Sequence, residues 1–334
     1  NGMATPPRVY DTWFAAHRQR FAAVDGYAQN VYHASGGGWI RMPVTFELTH
    51  FDPTQIMQSG QCFRMKKVDN NAVETIALGR RLVITPLGEN RFAFDCDAPT
   101  FEAVWLDYFD LREDYRAIHA AAPTDDVFLQ RALRYSPGLR ILRQDPWETL
   151  CGFILSQRKN IKAICTCMEA LCNLYGEPLP GTERRAFPTP ERLAALHETD
   201  MHVCGLGYRA PYLLDAAQRV ATGKLNLTAL SQMPDEQLFT ELLQVSGVGV
   251  KVANCVMLFA YHRLSRAPVD VWIERVIREA YGGASPYAGY GPYAGMYQQF
   301  QFMLQRDEGA AALASAGRAA RKPRKLAAGC ACEP

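Results

Sequence analysis

A chain of 334 residues, 48% hydrophobic and 21% charged, has the composition of a globular protein and the length for two domains. Its formal net charge of +2 and pI of about 8.1 exclude a generally polycationic surface, so any binding to nucleic acid has to come from a local basic face and from backbone groups. No apolar run approaches the ~20 residues that span a bilayer, the N-terminus lacks a charged-then-apolar leader, and the ten cysteines are therefore expected as reduced thiols inside the cell rather than a disulfide framework.

Residues 1–38 carry no readable pattern and stand as an N-terminal extension. From Trp39 to about Cys96 the segments WIRMPVTFEL, CFRMKKV, AVETIAL, RLVITPL and RFAFDC are short and rich in β-branched and aromatic residues. DNN at 69–71 and GEN at 88–90 separate some of them as hairpin turns, which predicts an antiparallel sheet with flanking helices over 39–123. FDPTQIMQSG at 51–60 reads as a short helix or turn crossing that sheet.

Beyond Pro99 the pattern is helical. Thr124 before DDVFLQRAL, Asp145-Pro146 before WETLCGFIL and Thr189-Pro190 before ERLAAL each place a cap residue first, two of them with proline at the first helical position. IKAICTCMEALCNLY, APYLLDAAQRVA, DEQLFTELLQ, VANCVMLFA, VWIERVIREAY and PYAGMYQQFQFMLQ continue an all-helical domain over 124–306. Residues 307–334, alanine-rich and carrying RKPRK, read as a disordered tail. The predicted fold is α+β, an N-terminal antiparallel sheet domain followed by an all-helical domain.

Within the second domain LLQVSGVGVKVANC reads as helix, glycine hairpin, helix, over about 236–260. The GVGVKV stretch lacks P-loop spacing and follows a helix rather than a strand, so it is not a nucleotide loop. Gly247, Gly249 and Val250 instead open onto a helix whose free N–H groups suit one phosphate of a nucleic-acid backbone. Lys251 falls in that helix's first turn, where the dipole disfavours a cation. That position and its apolar neighbours favour a neutral, nucleophilic amine. Downstream, Asp270 follows Pro268 at the start of a helix. The plain reading is an N-cap, but a carboxylate held by backbone N–H groups can also stabilise a developing cation. Lysine and aspartate together fit Schiff-base chemistry at an oxocarbenium-like sugar carbon. Cys165-x-Cys167 and Cys330-x-Cys332 lack the partner pair of a four-ligand zinc site.

The hairpin, the lysine and the later PVD resemble the helix-hairpin-helix, Gly/Pro…Asp superfamily of DNA glycosylases. GQCFRM at 60–65, ILRQDPWETLCGFI at 141–154, GLGYRAPY at 205–212 and GPYAG at 291–295 narrow the resemblance to the 8-oxoguanine DNA glycosylases, with matches scattered from about residue 60 to 302. The resemblance implies that Lys251 displaces the damaged base at the anomeric carbon, that β-elimination follows from the imine, and that Asp270 supports the cationic transition state. It implies a base pocket in which the Gly60 carbonyl accepts N7–H of 8-oxoguanine. Cys255 and Phe302 would be its walls, and Gln298 would read the Watson–Crick edge. Tyr208 and Arg209 would wedge into the duplex and, with Arg158 and Asn160, face the base opposite.

Three departures stand out. Arg158-Lys159-Asn160 replaces an asparagine run of vertebrate members, and Ala163 stands where an arginine contacts the opposite cytosine, which implies a weaker cytosine preference. Trp272 replaces a histidine near the phosphate. The resemblance further implies that the main-chain carbonyls of Leu243, Val245 and Val248 hold K+ or Na+. No cofactor is required, and no iron–sulfur cluster is expected. The partner is duplex DNA containing oxidised guanine, acted on by a monomer. The rivals are an alkylated-purine glycosylase of the same superfamily, which would generally lack the lysine, and a non-catalytic hairpin DNA-binding protein, which would need neither Lys251 nor Asp270.

Overall fold

The computed structural model of the protein describes residues 31–33, 39–41 and 43–320. Strands β1 (Val31–His33) and β2 (Trp39–Arg41) pair antiparallel, so a strand lies inside the expected extension; the rest of 1–38 falls outside the described residues. The predicted strand WIRMPVTFEL divides at Pro43, which has no N–H to give a ladder. Its second half, β3 (Val44–Glu47), joins β4 (Met65–Lys67), β5 (Val73–Ala77), β6 (Arg80–Gly88) and β7 (Arg91–Phe94) in an antiparallel sheet of order β3-β7-β6-β5-β4. The DNN and GEN turns lie where expected, joining β4 to β5 and β6 to β7. A run of helical turns over 98–108 covers the sheet, with Phe101 stacked 4.2 Å from Phe46 between ring centroids and Trp105 fully buried.

Helix α1 (Pro53–Gln58) is capped by Asp52, whose carboxylate accepts from the N–H groups of Thr54 and Gln55. Helices α2 (Tyr115–Ala120) and α3 (Val127–Tyr135) lead to the second domain. The cap of α3 is Asp126 and not Thr124, because Asp126 Oδ1 accepts from Leu129 N at 2.9 Å. Asp145-Pro146 starts α4 (Pro146–Leu155) as predicted, and Thr189-Pro190 starts the short helix Pro190–Ala194. Then follow α5 (Ile161–Tyr175), α6 (Ala210–Ala221), α7 (Asp235–Leu243), α8 (Val250–Phe259), α9 (Val271–Ala280) and α10 (Ala294–Ala320). Buried from Trp147 onward save half-buried Glu148, α4 is the central helix, and its Phe153 stacks on Phe259 of α8 at 5.4 Å.

The expected tail from 307 is corrected by α10, which continues to Ala320. Its extension is tied down, because Glu308 pairs with Arg131 at 2.9 Å, Asp307 accepts from Tyr135 Oη at 3.0 Å, and Gly309 lies under the Trp272 ring. Residues 321–334, with RKPRK, Cys330 and Cys332, lie outside the described residues.

Sheet and helical parts are joined along 136–145. Gly138 exchanges hydrogen bonds with Asp52 N and Gln55 Oε1, and the buried Arg140 donates to His50 O at 2.8 Å and Asp110 O at 2.7 Å. Gln144 N donates to Phe259 O at 3.0 Å. The segment is therefore backbone-bonded to both parts.

Candidate active site

The glycine hairpin joins α7 to α8. Gly247 has a φ of 78°, and a Cβ there would stand 2.4 Å from the Tyr212 ring, so both conformation and space require glycine. Gly249 caps α8 with no side-chain hydrogen bond, open space lies beside it, and Val250 is exposed. The first-turn N–H groups of α8 thus face outward, the arrangement that receives a phosphate.

In the same first turn, Lys251 Nζ lies 5.1 Å from the Phe153 ring centroid and donates to Ser156 Oγ at 3.5 Å. It lines a pocket with Gly60, Phe153, Cys255, Phe259, Pro268, Asp270, Gln298, Gln299 and Phe302. All six residues assigned to catalysis and base binding therefore converge, although Gly60 comes from the sheet domain and the others from three helices. Asp270 is both N-cap and pocket wall. Its Oδ1 accepts from Trp272 N and Ile273 N, each at 3.0 Å. Burial raises its pKa, and those two bonds and the Lys251 charge offset part of the rise. Cys255 is buried, and burial pushes its thiol up. Gln298 is 3% exposed, yet its Oε1 has no hydrogen-bond partner among the described residues, a costly state unless a ligand completes it.

Gly60 has a φ of 77°, and a Cβ there would stand 2.9 Å from Ile161 Cδ1. Backbone, not side chain, therefore faces the pocket.

The remaining assigned residues lie apart from the pocket, on the α4–α5 turn, the loop before α6 and the α7–α8 hairpin. Tyr208 is half-exposed. Arg209 is buried beneath it, 4.2 Å from the ring centroid, and donates to Gln157 O and Leu206 O. The guanidinium thus serves the backbone of the turn. Asn160 caps α5 by accepting from Ala163 N at 2.8 Å, and Arg158 is exposed with a φ of 50°. Val245 and Val248 are buried, Leu243 is at the edge of exposure, and Val245 O accepts from Val248 N at 3.0 Å.

Sequence reasoning missed Ser156, Gln157 and Gln299. Gln157 Nε2 donates to Gly247 O at 3.0 Å, while Gln157 O receives Arg209 and Lys159 Nζ reaches Gly205 O at 2.7 Å. One short turn therefore bonds to Lys251, the hairpin and the Tyr208 loop. No periodicity marks such a turn; only the polar run after an apolar helix hinted at it. Trp272, the histidine's replacement, is half-buried and packs its ring on Gly309 of α10. Among the described residues no group of three or more His, Cys, Asp or Glu is placed to hold a metal, and no helix is long and apolar enough to cross a membrane.

Comparison with known proteins bears on this geometry. Residues 43–150 match the 8-oxoguanine DNA glycosylase, N-terminal domain, and residues 151–286 match the HhH-GPD superfamily base excision DNA repair protein. The solved 8-oxoguanine glycosylase/lyase of Clostridium acetobutylicum, in complex with duplex DNA containing cytosine opposite 8-oxoG, is 31% identical; the match covers 81% of this chain and 97% of that one at a TM-score of 0.77. This chain belongs to the 8-oxoguanine DNA glycosylase family. An N-glycosylase/DNA lyase of Saccharomyces cerevisiae is 34% identical over 174 residues, 48% of this chain and 45% of the relative. The N-glycosylase/DNA lyase OGG1 of Arabidopsis thaliana is 28% identical over 243 residues, 68% of this chain and 66% of the relative. The chain thus spans between about half and two thirds of these curated relatives. The boundary between the two family domains, at 150/151, falls inside α4. The family's N-terminal unit accordingly includes the first turn of the helix on which the second unit is built.

Proposed function

We propose that this chain is a bifunctional DNA repair glycosylase that flips 8-oxoguanine out of duplex DNA, excises it through a lysine Schiff base, and cleaves the resulting abasic site by β-elimination. The observation that carries the reading is the convergence of Lys251, Asp270, the Gly60 backbone and the Gln298 amide, whose buried Oε1 has no partner among the described residues, on one pocket. Phosphate binding at the hairpin would hold the backbone while the base enters the pocket. The Asp270 carboxylate would stabilise positive charge on the sugar as the glycosidic bond breaks, and Lys251 Nζ would bond to C1′ as the base leaves with the bonding electrons. Loss of a proton from the amine and ring opening would give an imine, which acidifies the C2′ hydrogens and lets the 3′ phosphate depart. Gly60, through its carbonyl, would accept N7–H of the lesion, and Gln298 would bond the base's Watson–Crick edge between Cys255 and Phe302.

Tyr208 would fill the gap left in the stack, with Arg158 and Asn160 near the opposite base and Arg209 holding the turn that carries the tyrosine. With Ala163 offering no side-chain donor, preference for cytosine opposite the lesion would be weak. The carbonyls of Leu243, Val245 and Val248 are hard oxygen donors of the kind K+ or Na+ takes, and such an ion would brace the hairpin. The partner would be duplex DNA, met inside the cell by a monomer.

Borohydride trapping on an 8-oxoguanine duplex, with Lys251→Gln beside the unaltered protein, tests the reading. The expected result is a covalent adduct that disappears in the variant. Base release without any adduct would mean an aspartate-only glycosylase, and neither release nor adduct from folded protein would leave a DNA-binding relative.

A further inference from the structure

Discrimination between 8-oxoguanine and guanine at Gly60 depends on one carbonyl staying where it is. The lesion offers N7–H as a donor, whereas guanine offers a bare N7 acceptor, so a fixed carbonyl attracts one and repels the other. A carbonyl free to rotate would evade that repulsion. Gly60 is intrinsically the wrong residue for rigidity, since glycine crosses between backbone wells at little cost. Something outside the glycine has to hold it.

We infer that Gln299, with Ser59 and Gln61, is a specificity-determining positioning residue that clamps the Gly60 carbonyl. Gln299 Nε2 donates to Ser59 O at 2.7 Å, and both residues are buried, at 4% and 0% exposure. This fixes the peptide plane before Gly60. On the other side, the Gln61 N–H aims at Ser59 Oγ at 3.5 Å, and Ser59 Oγ is itself anchored to Ile56 O at 2.6 Å. Because the peptide is planar and trans, an N–H directed at Ser59 Oγ turns the Gly60 carbonyl the opposite way. The Gln61 side chain then closes the clamp. It donates to Ser59 Oγ at 2.9 Å and Arg140 O at 2.8 Å, and accepts from Leu142 N at 2.8 Å. Gln144 Nε2 takes the Gln61 carbonyl at 2.8 Å.

A flip of the Gly60–Gln61 peptide would have to break buried bonds on at least one side, and buried polar groups left unpaired are expensive. Gln299 also sits beside Gln298 on α10. The reader of one base edge and the clamp on the other edge are thus set by one helix. The inference rests on the proposed base-reading role of Gly60.

The test is single-turnover base release from matched duplexes carrying 8-oxoguanine or guanine, together with cleavage of a preformed abasic site. Gln299→Met keeps volume and removes the donor. Gln301→Met is the comparison, because Gln301 is equally buried on the same helix but bonds to Tyr281, Tyr287 and Tyr290 instead of Ser59. Expected is a fall of about ten-fold or more in the 8-oxoguanine-to-guanine ratio for Gln299→Met, with abasic-site cleavage still measurable, and a ratio within about two-fold of the unaltered protein for Gln301→Met. A Gln299→Met ratio within about two-fold of the unaltered protein, or an equal fall in both variants, overturns the clamp. If Gln299→Met does not fold, Ser59→Ala removes the oxygen facing the Gln61 N–H and is read the same way. Unaltered protein that shows no preference for 8-oxoguanine overturns the base-reading role of Gly60 itself, and the clamp with it.

Discussion

Asp270 caps α9 and is proposed to stabilise a cation with the same side chain, and its environment bears on both. Capping bonds from Trp272 N and Ile273 N hold Oδ1, while burial raises the pKa. A raised carboxyl pKa means the folded state holds the proton more tightly than the unfolded chain. This group therefore favours folding more at acidic pH, and that contribution fades as pH rises through the folded pKa. In the proposed mechanism activity runs the opposite way, since only the ionised form stabilises a cation. The acid limb of base release should accordingly lie above the ordinary aspartate value of 3.8, and Asp270→Asn should lower release by about 100-fold or more and remove that limb. A pH series of single-turnover release measures both; a limb unmoved in the asparagine variant would assign it elsewhere. At this scale the sequence was legible wherever a residue type was chemically out of place. Lysine at a helix start was such a signal, and Ser156 beneath it was not, because a serine after a helix is ordinary.

At the scale of elements the hairpin carries the proposed DNA contact. Gly247→Ala would force a side chain onto a φ of 78° and into the Tyr212 ring. The expected cost is ~1–3 kcal/mol of stability together with weaker binding to undamaged duplex, because α8 would start in a shifted position. Urea unfolding and duplex titration at two salt concentrations check this; an alanine variant matching the unaltered protein in both would show the turn to be more tolerant than its geometry implies. Element starts were legible where a cap adjoined proline, as at Asp145 and Thr189. The α3 cap was misjudged by two residues, since Thr124 and Asp126 are equally good caps in isolation and only the fold chose between them. The end of α10 was misjudged for a related reason. Alanine-rich sequence with charges reads as unstructured until partners such as Arg131 and Trp272 lie beneath it.

At the scale of the whole molecule the 136–145 segment makes one body of two domains. Arg140 is its anchor, buried at 5% exposure, bonded to the carbonyls of His50 and Asp110, and lying 4.2 Å from the Tyr115 ring centroid. Arg140→Met should cost ~2–4 kcal/mol, because it strips charge-assisted bonds from buried carbonyls. Denaturant unfolding followed at once by sheet and helix signals measures it, and a change below ~1 kcal/mol would mean that water replaces the guanidinium. The same seam holds the Gln61 side chain, so integrity of the proposed base pocket and docking of the sheet are one property here.

By itself the sequence determined the sheet-then-helix order, the hairpin and the chemical identities of Lys251 and Asp270, because strand alternation, glycine turns and caps are local effects of neighbouring residues. Only the tertiary structure decided that Gly60 would meet Gln298 and Phe302, that Arg209 would turn inward, and that Gln299 would reach Ser59. Those contacts join residues far apart in the chain, and no local preference of the backbone records which distant carbonyl a buried amide will find.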